Sequence, residues 1–284
     1  MLLAPVDYYR PDDLEGAISA LGTPGARALA GGQSLISILK LRAASVDLLV
    51  DISRLEELRG IDVGDDGSVH LGAGVTYDEM ATSDALASVH AKLCHVAAET
   101  VDAQVRNRGT FGGNLCHNDP INNFPPYVVA VGATLHARGP NGDRDIGADE
   151  FFTGYFTNSL EAGEILTGVT LPALAGRGVG FQEVEIGEAA ARAVAVIGID
   201  NGTISSAQVA LGCLPVPTRL PAVEQALVGS EPTAENVTAA TAAAGAGIDP
   251  VGDADASPED RIAMAPVVAK RAVMEAIEEG GRHG

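Results

Sequence analysis

Two glycine pairs, each followed by side chains that form hydrogen bonds, are the residues of this sequence best suited to chemistry. They lie in "RALAGGQS" (27–34) and "TFGGN" (110–114). Because glycine has no Cβ, the backbone N–H groups of such a turn can approach phosphate oxygens and donate to them. The hydroxyls and amides of Ser34, Thr110 and Asn114 can add further hydrogen bonds. Together the pairs indicate a clamp for a pyrophosphate, although each pair alone is also compatible with an ordinary turn among the 34 glycines.

Other chemically capable residues form weaker patterns. His117 and Asp119 follow the second glycine pair, and Cys94 and His95 lie in the helix predicted before it. A metal site needs three or four ligands in a fixed geometry, so these residues are interpreted as cofactor-loop, subunit-contact or surface residues. The stretch "GAGVTY" (72–77) imitates the start of a dinucleotide fingerprint but lacks its final glycine, and it is interpreted as a hairpin turn.

Charge and composition narrow the class of protein. The 284-residue chain has 38 acidic and 18 basic residues, a formal net charge of −20, so its surface would repel nucleic acid and anionic membranes. Its three cysteines are scattered, which predicts neither a disulfide framework nor a cysteine zinc site and favours a reduced, cytoplasmic setting. No apolar run reaches the roughly 18 residues of a membrane-spanning helix, so membrane insertion is not expected.

Apolar periodicity and turn residues predict the elements that position the glycine pairs. The stretch "ARALAGG" is predicted to be a short strand that its glycine pair breaks. Helices are predicted from Tyr77 to about Leu86 and over 86–101, and the second pair is predicted to lie in a loop after them. Beyond a Gly- and Pro-rich stretch at 172–178, the sequence predicts three antiparallel strands with a turn at "DNGTI", and then three helices. Ser257 is expected to cap the last helix.

Three longer motifs, taken in their order and spacing, carry a resemblance to a known family. They are "LAGGQSLISILKLR", "DAQVRNRGTFGGNLCHNDP" and "FFTGYFTNSLEAGEILTGVTLP". The chain resembles, over nearly its whole length, the FAD-binding medium subunit of the molybdenum hydroxylase (xanthine dehydrogenase and carbon monoxide dehydrogenase) family. This implies an α+β fold with a two-subdomain, PCMH-like FAD-binding domain over 1–175, divided at about 1–55 and 56–175. A smaller α+β C-terminal domain over 176–284 is implied to follow.

The resemblance also implies which residues hold FAD, and it implies no catalytic or metal-binding residue. The first loop would consist of Arg27, Ala28, Leu29, Ala30, Gly31, Gly32, Gln33 and Ser34. The second would consist of Thr110, Gly112, Gly113 and Asn114. Thr100 and Leu166 take places near the flavin ring, and Asn123 takes one near the adenosine half. Asn123 replaces an acidic residue, and Gln182 stands where some relatives have lysine, so ionic contacts at these two positions are in doubt.

Electron transfer is the function that the resemblance implies. A molybdopterin centre in a large subunit would pass electrons to iron-sulfur clusters of a small subunit. This chain would take the electrons from those clusters and pass them through FAD to NAD, a quinone or oxygen. The three subunits would form a dimer of heterotrimers. Many relatives carry a basic pair and an aromatic residue near the flavin at 183–194, and this chain has neither, so the access of the acceptor is left open. Two alternatives also stay open: a self-sufficient FAD-dependent oxidoreductase with its own organic substrate, and a flavin-free scaffold subunit.

Overall fold

The computed structural model describes residues 3–100 and 102–281. By backbone contacts the chain divides into two compact units. The first comprises the chain up to His117 together with Thr134–Phe151 and Asn158–Leu171. The second comprises Asn118–Ala133, Phe152–Thr157 and the chain from Pro172 onward. Two short stretches ahead of residue 172 thus belong to the second unit by their contacts, and the domain boundary near residue 175 stays a prediction.

Helices and strands are mixed along the described chain, as the sequence predicts. The α-helices are α1 (Leu14–Leu21), α2 (Leu35–Lys40), α3 (Tyr77–Ala81), α4 (Asp84–Glu99), α5 (Ala103–Arg106), α6 (Phe111–His117), α7 (Phe124–Val131), α8 (Ala148–Phe151), α9 (Pro221–Leu227), α10 (Ala234–Thr241) and α11 (Pro258–Gly280). The strands are β1 (Asp7–Tyr9), β2 (Ala26–Leu29), β3 (Leu48–Asp51), β4 (Ile61–Val63), β5 (Val69–Gly72), β6 (Thr134–Gly139), β7 (Gly142–Gly147), β8 (Phe152–Gly154), β9 (Thr157–Asn158), β10 (Ile165–Leu171), β11 (Gly178–Ile186), β12 (Glu188–Asp200), β13 (Thr203–Gly212) and β14 (Thr218–Arg219). A 3-10 helix covers Glu56–Leu58. None of the helices in the described ranges is long and apolar enough to cross a membrane.

A three-stranded parallel sheet, in the order β1-β3-β2, opens the first unit. The preceding turn starts α1 where the Asp13 carboxylate accepts a hydrogen bond from the N–H of Gly16 at 2.8 Å. The apolar face of α1, with Leu14 and Ile18, packs in a small core that includes Val50 of β3. Because the strands are parallel, β2 and β3 end at the same edge of the sheet, and the first glycine pair follows β2 at that edge.

The second sheet of the first unit has five antiparallel strands in the order β4-β5-β10-β6-β7. Its two hairpins, β4-β5 and β6-β7, turn at "GDDG" and "GPNG", whose glycines and Asp, Asn and Pro residues are typical of turns. The central strand β10 pairs with β5 and β6, and its register shifts between Leu166 and Gly168. This sheet provides the framework from which α3 to α6 and their connecting segments extend.

The two helices predicted from Tyr77 to about Leu86 and over 86–101 are present as α3 and α4, but the break between them lies at residues 82–83 and not near Leu86. Thr76 begins α3 in a capping box with Glu79. Ser83 begins α4, because its hydroxyl accepts a hydrogen bond from the N–H of Leu86 at 3.1 Å. Each cap satisfies N–H groups that the start of a helix leaves open, and this favours a new helix start over one continuous helix.

The second unit is built on a four-stranded antiparallel sheet in the order β11-β12-β13-β14, and the three predicted strands and their order are confirmed. α11 packs along β11 so closely that a Cβ on Gly178 or Gly180 would overlap the carbonyl oxygen of Ala276 or Ala272. α7 packs against β12 and β13, and all eight of its residues are buried. β12 therefore has helices on both sides, which explains its run of ten consecutive buried residues.

Candidate functional site

Residues 30–34, the first glycine segment, join the end of β2 to α2. The N–H of Ile52 donates to the carbonyl of Leu29 at 3.0 Å, which anchors the end of β2 to the strand beside it. Gly32 has a φ of +72°, in the left-handed region that favours glycine. Within the described chain, no hydrogen bond engages the backbone N–H groups of residues 31–34. These four donors can therefore bind the oxygens of an anionic group such as a phosphate.

Residues 109–114, the second glycine segment, include the first turn of α6. The loop predicted at "TFGGN" is therefore wrong, since the glycine pair lies in a helix. Gly112 packs on Ala73: its N–H donates to the Ala73 carbonyl at 2.8 Å, and a Cβ on Gly112 would lie 2.5 Å from the Ala73 Cβ. The N–H of Gly113 donates to the Thr110 hydroxyl at 3.1 Å. Close packing thus requires Gly112, a reason that the sequence alone does not reveal.

The two glycine segments contact each other within the first unit. A Cβ on Gly31 would overlap the carbonyl oxygen of Arg108 and lie 3.0 Å from the Cα of Gly109. The contact is made by backbone against backbone, so a side chain at position 31 would push the segments apart. The fold thereby joins the four open N–H donors and the second glycine segment at one place, as a two-segment clamp requires.

Three further residues of the predicted site lie in the first unit. Asn114 is buried, and its Nδ2 donates to the hydroxyl of Tyr77 at 3.0 Å. Thr100 is buried at the C-terminal end of α4, where its hydroxyl donates to the carbonyl of Val96 at 2.6 Å. Leu166 is buried in β10 beside the shift in register. The structure describes their surroundings, and their roles toward FAD stay predictions.

Asn123 and Gln182, the two departures from the family pattern, lie in the second unit. Asn123 is the N-cap residue of α7. The loop before α7 is held by Arg192 of β12, whose guanidinium donates to the carbonyl of Ile121 at 2.6 Å. In β11, Nε2 of Gln182 donates to the carboxylate of Glu275 in α11 at 3.1 Å. The Gln182 amide is thus bound within its own unit, and both assignments to the FAD site stay predictions.

The residues considered for metal or thiol chemistry do not form a cluster. Across the described ranges, no group of three or more His, Cys, Asp or Glu side chains could hold a metal ion. All three cysteines are free thiols. Burial raises the pKa of Cys94 to about 11 and also raises the pKa of Cys213, so neither side chain is a thiolate nucleophile at neutral pH.

Asp51, the last residue of β3, lies at the sheet edge from which the first glycine segment leaves. It is buried, and its carboxylate accepts hydrogen bonds from the Tyr8 hydroxyl at 2.5 Å, the Ser53 N–H at 3.0 Å and the Arg10 guanidinium at 3.1 Å. Burial raises the pKa of this carboxyl, but the hydrogen bonds from Ser53, Tyr8 and Arg10 outweigh burial and leave the pKa lowered. The ionised form is therefore the one that the fold stabilises.

Stability is expected to depend on pH through Asp51. Because its pKa is lower in the folded than in the unfolded chain, Asp51 stabilises the fold above its unfolded pKa of roughly 4, and this contribution is lost as pH falls through the folded pKa. Urea unfolding of the wild-type chain should give a smaller free energy as the pH is lowered below about 5. Asp51→Asn should show a shallower decline, and the exposed Asp65→Asn is the control. Equal slopes for wild type and Asp51→Asn would contradict the prediction.

Comparison with known proteins identifies the family of this chain. The profile of the FAD binding domain in molybdopterin dehydrogenase matches residues 4–174, which hold both glycine segments. The chain belongs to the FAD-binding medium subunits of the molybdenum hydroxylases. A second profile, the CO dehydrogenase flavoprotein C-terminal domain, matches residues 186–276. The resemblance seen in the sequence is confirmed, and so is the α+β fold with an FAD-binding domain followed by a C-terminal domain.

Relatives in this family match the chain over nearly its whole length. It is 36% identical to the carbon monoxide dehydrogenase medium chain of Hydrogenophaga pseudoflava over 275 residues, which cover 94% of this chain and 95% of that one. The xanthine dehydrogenase FAD-binding subunit of Escherichia coli O157:H7 is 29% identical, with coverage of 96% and 97%. A solved structure of carbon monoxide dehydrogenase from Hydrogenophaga pseudoflava, which lacks the Mo-pyranopterin moiety of its cofactor, superposes with a TM-score of 0.94 at 35% identity, covering 98% of this chain and 99% of the other.

The glycine segments fit the FAD of this family by their chemistry. A pyrophosphate presents oxygens that only accept hydrogen bonds, and the first glycine segment presents four open N–H donors. At Gly113 a Cβ would lie 2.7 Å from the Thr110 hydroxyl oxygen and 3.9 Å from the Thr110 Cβ, so a side chain there would press on Thr110. A neutral donor set without a Cβ in the way suits a group that brings its own negative charge.

Proposed function

We propose that this chain is the FAD-binding electron-transfer subunit of a molybdopterin-dependent hydroxylase or dehydrogenase. The observation that carries the proposal is the contact of Gly31 with Arg108 and Gly109, which places the four open N–H donors of residues 31–34 next to the second glycine segment. Bound FAD would supply reversible electron transfer, which amino-acid side chains do not provide. The work of this chain's own residues is to bind the cofactor, to orient it and to set the electrostatics around it.

Each predicted site residue has a part in this proposal. Residues 27–34 would hold the pyrophosphate with the backbone N–H donors of residues 31–34, and the segment from Thr110 to Asn114 would add side-chain hydroxyl and amide donors. Thr100 and Leu166 would lie near the flavin ring, where Leu166 offers an apolar contact. Asn123 would bind the adenosine half through neutral hydrogen bonds in place of a carboxylate. Gln182 would add no charge, and its bond to Glu275 would hold its amide in place.

The proposed partners are a small subunit with iron-sulfur clusters and a large subunit with molybdopterin. Electrons would enter from the small subunit and leave to an external acceptor, which is NAD, a quinone or oxygen. The names of the relatives, a medium chain and an FAD-binding subunit, support this division of work. The assembly would be a dimer of heterotrimers. The three free thiols are compatible with the reducing, cytoplasmic setting that we propose for it.

The chain purified alone is expected to bind one FAD without a covalent bond. Both glycine pairs are flanked by residues that donate hydrogen bonds, and neither pair contains a His or Cys that could tether a flavin. A visible absorption spectrum gives the flavin content, and acid precipitation should release yellow FAD into the supernatant. Colour that stays with the pellet would contradict non-covalent binding. A folded chain that takes up no FAD would overturn the proposed function and favour the scaffold.

The same preparation separates electron transfer from substrate chemistry. A chemical reductant should bleach the bound flavin and a dye acceptor should restore its colour, whereas aldehydes and N-heterocycles should leave it unchanged. The reason is that a positioned general base contributes about 10²–10⁴-fold to such reactions, and the proposal assigns that chemistry to the large subunit. Rapid bleaching by one of these substrates without other subunits would replace this proposal with the self-sufficient oxidoreductase.

A further inference from the structure

Residues 73–77, within the stretch "GAGVTY", pair with the second glycine segment along its backbone. The N–H of Tyr77 donates to the carbonyl of Gly109 at 3.1 Å, and the N–H of Phe111 donates to the carbonyl of Val75 at 2.8 Å. An antiparallel bridge between Thr76 and Thr110 lies between these two bonds. The stretch that the sequence predicts to be a turn therefore also supports the second glycine segment.

Tyr77 contacts this segment with its side chain as well. The side chain is 6% exposed, and its ring occupies the space beside Gly109, where a Cβ would lie 2.9 Å from the ring carbon Cε2. The Tyr77 hydroxyl accepts the hydrogen bond from Nδ2 of Asn114 at 3.0 Å. Burial raises the pKa of Tyr77 to about 12, so the phenol is neutral at neutral pH.

These contacts act on two parts of the segment at once. The Tyr77 ring packs against the backbone at Gly109 and limits its position. Gly31 of the first glycine segment contacts the same residue. The hydroxyl restricts the rotation of the Asn114 amide, because it accepts a hydrogen bond from Nδ2 at 3.0 Å. An amide held in one rotation loses less conformational freedom when a ligand binds to it.

We propose that Tyr77 is a positioning residue for the pyrophosphate of FAD, which it supports through Gly109 and Asn114. This inference rests on the proposed function. It gives the "GAGVTY" stretch a specific role: its backbone pairs with the second glycine segment, and its tyrosine holds the amide of Asn114, a residue of the proposed second FAD loop. Tyr77 itself is not required to touch FAD.

Tyr77→Phe tests the hydroxyl while it keeps the ring against Gly109. Apo chain is titrated with FAD and, separately, with ADP, which has the pyrophosphate but no flavin. We expect both dissociation constants to rise by about 10-fold, the effect of losing one hydrogen bond to a positioned group. Equal weakening of FAD and ADP locates the effect in the part that the two ligands share, which includes the pyrophosphate, and a thermal unfolding curve shows whether the variant is still folded.

Tyr127→Phe is the matched control, because Tyr127 is also fully buried but belongs to the second unit. It should lower the melting temperature without changing either dissociation constant. A double-mutant cycle with Asn114→Ala then tests the path of the effect. If Tyr77 acts through Asn114, the variant carrying both changes should bind no more weakly than Asn114→Ala alone.

The outcomes separate this inference from the proposed function. A wild-type chain that binds neither FAD nor ADP would overturn the proposed function itself. A wild-type chain that binds both, with a folded Tyr77→Phe variant that binds them equally well, would overturn only the positioning role. If Tyr77→Phe does not fold, Asn114→Ala decides, because wild-type affinity in that variant would also overturn the role of Tyr77.

Discussion

The Gly31→Ala variant is expected to bind FAD at least about 100-fold more weakly than the wild type while it remains folded. A Cβ at this position would overlap the carbonyl oxygen of Arg108 and lie 2.8 Å from its carbonyl carbon. The two glycine segments would therefore have to separate by roughly 1 Å, and a displacement of about that size at a binding site can cost on the order of 100-fold. Overpacking of this kind costs about 1–3 kcal/mol of stability, which a domain of this size can tolerate.

Gly22→Ala is the control for this substitution. Gly22 also lies in the first unit, has an ordinary φ of −68°, and would bring its Cβ no closer than 3.3 Å to a neighbouring atom, the carbonyl oxygen of Ser19. The flavin content of the Gly22→Ala variant should match that of the wild type. Fluorescence titration gives the affinity for FAD, and circular dichroism shows whether each variant is folded. If a folded Gly31→Ala chain binds FAD with wild-type affinity, the contact between the two glycine segments is not needed for FAD binding.

The Arg192→Met variant is expected to lose about 2–4 kcal/mol of the free energy of unfolding, because it breaks a buried ion pair and leaves backbone carbonyls without their donor. Arg192 is 3% exposed and binds the Glu183 carboxylate at 2.6 Å. It also donates to the carbonyls of Ile121 and Asn122 at 2.6 and 3.0 Å, and its guanidinium lies 5.6 Å from the centre of the Phe181 ring. Methionine keeps most of the volume and removes all of these polar contacts.

Arg138→Met provides the matched comparison, because Arg138 forms an ion pair with Asp143 in which both side chains are exposed, at 42% and 64%. Such exposed pairs contribute about 0–1 kcal/mol, so this variant should lie within about 1 kcal/mol of the wild type. Urea unfolding monitored by circular dichroism measures both variants. Equal losses in the two would show that burial does not decide the contribution of Arg192.

Helix starts and hairpin turns could be predicted from the sequence because they depend on neighbours in the chain. Ser257 begins α11 in a capping box with Asp260, and the turn after Asp200 joins β12 to β13 as "DNGTI" predicts. The break between α3 and α4 has a local signal too, because the Ser83 hydroxyl accepts a hydrogen bond from the N–H of Leu86 and caps the second helix. These elements could therefore be located from residues that lie close together in the chain.

The second glycine segment shows where local reasoning fails. Two adjacent glycines have low helix propensity, so the sequence predicts a loop at "TFGGN". In the structure the N–H groups of Phe111 and Gly112 find carbonyl acceptors at Val75 and Ala73, and the chain starts α6 at this point. The glycines are needed for the approach of another segment and not for a turn. Tertiary hydrogen bonds therefore override the propensity of the segment.

The sequence by itself was enough to locate the two glycine pairs and the hydrogen-bond donors beside them, and to indicate the family. Residue types and their spacing along the chain are sufficient for each of these inferences. Only the tertiary structure decided that Gly31 touches Arg108 and Gly109, and that Tyr77 holds Asn114. These contacts join residues that are far apart in the chain, and their geometry depends on how two sheets and their connecting helices pack. A glycine in a sequence shows that a side chain is missing, whereas the fold alone shows which neighbour occupies the space that the missing side chain leaves.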